Sequence, residues 1–199
     1  MNKSHSLRLF ALLLPVLARP VAAGVTQCSD LTAVSATSGW STVQKDKSID
    51  QKPITLIGKV YPKGLGTHAP SEIVYNLNGK YRTFTADVGI DDETAGKGSV
   101  EFQVYADDSL LYKSGVLKGN MAAKTISVSV LGKNKLKLVT TIGPDTYDMD
   151  DADWAGAQLV EKDAVAVLPR LRISTKRNSG VTFGIHGPVG RDIRGKRKP

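Results

Sequence analysis

A single cysteine, Cys28, stands in a chain of 199 residues. It excludes an internal disulfide, so the core must hold without a covalent staple. Histidine is scarce too: His5 and His186 lie near the ends, and only His68 lies in the body. A Ser-His-Asp arrangement would have to use His68, yet no Gly-x-Ser-x-Gly elbow accompanies it. Cys28 has no catalytic context around it. The one apolar run, Leu9 to Ala18, is shorter than the roughly 20 residues a spanning helix needs. No stretch of the body carries a sustained helical stripe, and no repeat of solenoid period is present.

Charge of one sign is also missing from the body. The formal net charge is +8. Residues 163–199 alone hold Arg170, Arg172, Lys176, Arg177, Arg191, Arg194, Lys196, Arg197 and Lys198 against Asp163 and Asp192. Basicity therefore belongs to the tail, and nothing in the body points to a specific nucleic-acid partner. A polybasic arm that binds anionic polymer is the functional reading of the tail; a solvated, disordered segment at 162–199 is the other.

The N-terminus reads as a secretory signal over residues 1–23. Lys3 and Arg8 precede the apolar run, and small residues around Ala23 suit a cleavage site, so the mature chain is expected near Gly24. An uncleaved anchor is the alternative, against which Pro15 interrupts the run.

Between Leu31 and Glu161 the pattern is one of strands. Phe84, Ala86, Val88 and Ile90 alternate with polar residues, as do Val100, Phe102 and Val104, then Ile126, Val128 and Val130, then Leu136 and Leu138. Asn78-Gly79 and Gly132-Lys133-Asn134 punctuate them as turns. Many short strands with such turns predict an antiparallel sandwich.

Three segments carry chemistry: Gly64-Leu65-Gly66-Thr67-His68-Ala69, Val88 to Glu93, and Met149 to Ala155. His68 sits among small residues that leave an imidazole accessible, so it is either a ligand-binding or a structural histidine. Asp91-Asp92-Glu93 is either a solvent-exposed tip or an edge that reads hydroxyls. Aspartates crowd around Trp154, including Asp145, Asp148, Asp150, Asp151 and Asp153. They could supply oxygens to Ca²⁺ from separate loops, or form a solvated turn. For Trp154 core burial and ligand contact stand level; for Trp40, in its polar setting, burial at a sheet edge is the leading expectation. The same carboxylates could flank a glycosidic bond, but so small a body leaves little room for a deep cleft. The expectation is a protein that is not an enzyme.

Ser35-Ala36-Thr37-Ser38-Gly39-Trp40, Lys45-Asp46-Lys47-Ser48, Lys63 to Ala69, Tyr75 to Tyr81, Val88 to Glu93 and Ala152-Asp153-Trp154-Ala155 occur in this order. Together they closely resemble the NPCBM domain, also called carbohydrate-binding module family 51, over residues 28–161. The resemblance implies a jelly-roll β-sandwich of the galactose-binding-domain type, often with one structural calcium ion. It implies a secreted, non-catalytic module that recognises galactose-containing glycans and is appended to a glycoside hydrolase. His68, Glu93, Trp154 and Asp153 are its candidate carbohydrate-binding residues, and Asp150 and Asp151 its candidate metal ligands. Similar domains often carry His where this chain has Asp151. The rival expectation is a structural or adhesion sandwich with no active sugar pocket.

Overall fold

The structure, a computed structural model, describes residues 23–144 and 147–162, and the backbone of residues 172–174 and 182–184. The body contains β1 (Val25–Gln27), β2 (Ser35–Thr37), β3 (Gln44–Lys45), β4 (Ile54–Leu56), β5 (Lys59–Tyr61), β6 (Gly64–His68) and β7 (Ser71–Asn76). After them come β8 (Tyr81–Ile90), β9 (Ser99–Ala106), β10 (Ser109–Lys118), β11 (Lys124–Ser129), β12 (Lys135–Ile142) and β13 (Asp151–Glu161). Every pairing is antiparallel. One sheet runs β11-β8-β13-β6-β3, with β1 also on β13; the other runs β10-β9-β12-β7-β2. Their facing sides share one apolar core, so the expected sandwich is the observed one.

Alternation places the core. Phe84, Ala86, Val88 and Ile90 of β8 are buried, as are Val100, Phe102, Val104 and Ala106 of β9 and Leu136 and Leu138 of β12. Asn78 and Gly79 make a turn closed by the Lys80 N–H on the Leu77 carbonyl at 2.9 Å. That turn carries the chain from one sheet to the other; β7 and β8 do not pair with each other.

Two strands escape simple alternation because of bulges. In β10 the register with β9 shifts between Lys113 and Val116. In β13 it shifts between Ala155 and Gln158, so that Ala152 and Trp154, then Ala157 and Leu159, all enter the core. Asp151, Asp153 and Ala155 consequently face the outer side of their sheet. There the β4–β5 hairpin packs on Ala155 through Ile54 and Leu56.

Cys28 is fully buried, and desolvation pushes its thiol up to about 12, so it is inert at neutral pH. The sheet begins at Val25, which pairs with Val160, before Cys28. The expected signal segment and most of the basic tail lie outside the described residues. Within the tail, β14 (Arg172–Ser174) and β15 (Thr182–Gly184) form an antiparallel pair. Among the described residues no helix is long and apolar enough to cross a membrane.

Candidate functional site

A cleft of about 720 Å³ opens where the β2–β3, β8–β9, β10–β11 and β12–β13 loops meet the end of β6. Trp40, His68 and Tyr147 line one side of it. Trp40 is 52% exposed and Tyr147 44%. The His68 ring lies 4.7 Å from that of Tyr147 and 6.3 Å, edge-on, from that of Trp40. The remaining lining comes from Lys97, Lys118, Asn120, Asp148 and Met149, with Gly96 and Gly98.

Local bonding fixes this arrangement. The Ser38 hydroxyl accepts the His68 N–H at 2.9 Å and donates to the Trp40 carbonyl at 2.8 Å. The Gly39 N–H donates to the His68 carbonyl at 2.9 Å, and the Tyr147 hydroxyl donates to the Gly39 carbonyl. Two loops are thereby tied to one strand end. Gly98, at φ +82°, lets the β8–β9 loop pass under Met149; a Cβ there would meet the Met149 carbonyl oxygen at 1.9 Å.

Against the expectation of an accessible imidazole, His68 is only 5% exposed at the cleft wall, and one of its ring nitrogens is committed. Its Nδ1 lies 2.7 Å from the Ala69 carbonyl oxygen, which can only accept, so Nδ1 carries a hydrogen. In the neutral ring Nε2 is then an acceptor. Asp151 is the cross-strand neighbour of His68, and its Oδ1 lies 3.9 Å from Nε2, too long for a hydrogen bond. Burial, ahead of the pull of His68, raises the Asp151 carboxyl above the usual carboxylate range.

The structure corrects three of the expected binding residues. Trp154 is 0% exposed, wedged edge-on against Phe102 at 5.1 Å and tilted on Phe84 at 6.4 Å. It is a core residue with no face for a ligand. Asp153, one position earlier, points to the opposite face and is 1% exposed. Beside it the Lys47–Ile49 backbone crosses so closely that a Cβ on Gly66 would lie 2.4 Å from the Lys47 carbonyl oxygen. The Glu93 side chain is only 4% exposed; it accepts the Ser48 hydroxyl at 2.9 Å and pairs with Lys52 at 3.5 Å. None of the three lines the cleft.

Asp91, Glu93, Asp151 and Asp153 form an acidic layer behind His68. Asp91 accepts the Thr55 and Glu93 N–H groups, each at 2.9 Å. Among the described residues Asp153 meets no donor for either carboxylate oxygen. Burial above all, then the contact with Asp91, holds its carboxyl well above the usual range. Its neutral form is therefore favoured over the charged one. Desolvation also raises Glu93, with repulsion from Asp91 adding to it.

The expected metal pair does not converge. The Asp150 carboxylate accepts the Ser99 N–H at 2.9 Å, while Asp151 stands beside His68 on the outer face. Among the described residues no group of three His, Cys, Asp or Glu side chains could hold a metal ion.

Sequence reading missed Tyr147, Asn120, Lys97 and Lys118, and ranked Trp40 below Trp154. A signal was there for Tyr147: one aromatic among turn aspartates just before Asp150.

The NPCBM/NEW2 domain model matches residues 24–160. A family 51 module from Clostridium perfringens GH95, solved with methyl-galactose, is 40% identical with a TM-score of 0.66. That match covers 68% of this chain and 99% of that one. The second family 51 module of C. perfringens ZmpB, solved with GlcNAc, is 35% identical with a TM-score of 0.67, over 70% of this chain and 32% of that one. A relative from Renibacterium salmoninarum, named for an endo-alpha-N-acetylgalactosaminidase, is 37% identical over 160 residues, 75% of this chain. This chain spans only 11% of that relative's length. A sandwich with these loop motifs and a family match over its whole body is decisive: the chain belongs to the NPCBM/NEW2 family of carbohydrate-binding modules.

Proposed function

We propose that this chain is a non-catalytic module that holds galactose-containing glycans in the Trp40–His68–Tyr147 cleft. The observation that carries this is the exposed Trp40 ring set beside a histidine with a free acceptor nitrogen. A pyranose has one apolar face, which suits an indole, and a rim of hydroxyls, which suits convergent polar groups. Trp40 takes the ring face. His68 Nε2 accepts a hydroxyl hydrogen, and the Asp148 carboxylate and Asn120 amide read neighbouring hydroxyls. The methyl-galactose and GlcNAc bound by the two Clostridium modules support this ligand class. The cleft is open and offers few contacts, so a single sugar should bind near millimolar, about −4 kcal/mol.

The glycosidase relative supports a role as an accessory to a secreted glycoside hydrolase. No catalytic step is assigned to this chain: among the described residues no nucleophile or buried carboxyl lines the cleft beside His68.

Calorimetric titration of the full chain with methyl-galactoside and N-acetylglucosamine tests the proposal. Saturable binding to one of them, weakened at least about tenfold by Trp40→Ala, is the expected result; tenfold corresponds to about 1.4 kcal/mol. No heat with either sugar or with larger galactosyl glycans would leave a structural or adhesion sandwich as the better reading.

A further inference from the structure

Two lysines line the cleft together with its aromatic rings. Lys97 and Lys118 sit on turns that lock together: the Gly119 N–H donates to the Gly98 carbonyl at 3.3 Å. The Lys97 N–H is held by the Thr94 carbonyl at 3.2 Å, and the Met121 N–H by the Lys118 carbonyl at 2.9 Å, so each turn is closed on itself. Several other lysines on this body are matched with acids. Lys59, Lys63 and Lys113 lie 3.1, 2.5 and 3.1 Å from carboxylate oxygens. Among the described residues Lys97 and Lys118 have no such partner, and Asp148 is the single carboxylate lining the cleft with them. Two unneutralised ammonium groups thus face a platform suited to a sugar ring.

Resting on the carbohydrate reading above, we propose that Lys97 and Lys118 select glycans bearing a negative substituent, a sulfate ester or a sugar carboxylate. The aromatic side holds the ring, and the substituent lies between the two ammonium groups. Each ammonium offers up to three hydrogens, and neither group needs fixed bidentate geometry to hold an anion. Asp148 opposes the anion, so the net preference depends on both lysines. The groups are exposed and their attraction is screened, so the preference should be modest and salt-sensitive.

The test compares methyl-galactoside with its 6-O-sulfate and 3-O-sulfate and with a 3-sialyl galactoside, by calorimetry on the full chain at low and high salt. We expect at least one anionic sugar to bind about fivefold tighter than the neutral one at ~20 mM salt, with the ratio shrinking toward ~0.5 M. In K97Q/K118Q, checked for an unchanged melting temperature, the anionic-to-neutral ratio should fall to about one, whereas K133Q on the Gly132 turn should leave it intact. Preference for the sulfates alone, or for the sialoside alone, would support the proposal and identify the source of the charge. Equal affinity for neutral and anionic sugars would overturn it and leave the galactose reading standing. A preference that survives in K97Q/K118Q would overturn it by placing the anion elsewhere, the basic tail first. No binding of any sugar would overturn the carbohydrate reading itself, and this proposal with it.

Discussion

Asp153 and Trp154 are neighbours in the chain and opposites in the fold. Strand geometry turns one to each face, so the aspartates crowded around Trp154 say nothing about what the indole touches. Among the described residues its buried Nε1–H meets no acceptor, which subtracts from the value of its packing. Trp154→Phe should therefore cost little, about 1 kcal/mol or less, whereas Trp154→Ala should cost about 3–5 kcal/mol in chemical denaturation. Asp153 is destabilising in its charged form. Its folded-state carboxyl is raised well above 3.8, so above that pH the native chain retains a proton that the unfolded chain has released. Unfolding free energy then falls as pH rises through the raised value, by up to about 1.4 kcal/mol per pH unit for one proton. Raised Glu93 and Asp151 act in the same direction. Asp153→Asn removes the titrating group and should flatten this slope at pH values above 3.8, seen as a higher melting temperature than wild type at the alkaline end.

At the level of elements, the cleft depends on loops tied to strand ends. Gly98→Ala would need a Cβ 1.9 Å from the Met149 carbonyl oxygen, at a φ of +82°. We expect a loss of about 1–3 kcal/mol, together with weaker galactoside binding, because the Tyr147–Met149 loop must move. Denaturation and titration of the same variant measure both. The strands were legible where polarity alternates cleanly: β8, β9 and β12 have one buried and one half-open face, and period two follows. It was not legible in β10 or along all of β13, where bulges reset the phase. The Asn78-Gly79 turn was readable as a turn, but local sequence does not state whether the flanking strands pair or part into two sheets. Of the candidate cleft, the loop motifs and His68 were legible in the sequence. Its aromatic platform was not, because Trp40 and Trp154 differ in burial through tertiary packing rather than through their neighbours.

For the molecule as a whole, two sheets close one core without a disulfide, and the cleft proposed for binding lies among loops rather than inside the core. Stability and recognition are thus separable. Galactoside at about 100 times its dissociation constant should stabilise the fold by about 2.7 kcal/mol, visible as a rise in melting temperature. The chain's two tryptophans divide these roles, Trp154 in the core and Trp40 at the cleft, and their fluorescence reports each separately. The most direct test of the central claim is a galactoside titration followed by tryptophan emission in Trp40→Phe and Trp154→Phe. The account predicts a saturable change that persists in Trp154→Phe and vanishes in Trp40→Phe. A change that survives loss of Trp40 and disappears with Trp154 would contradict it.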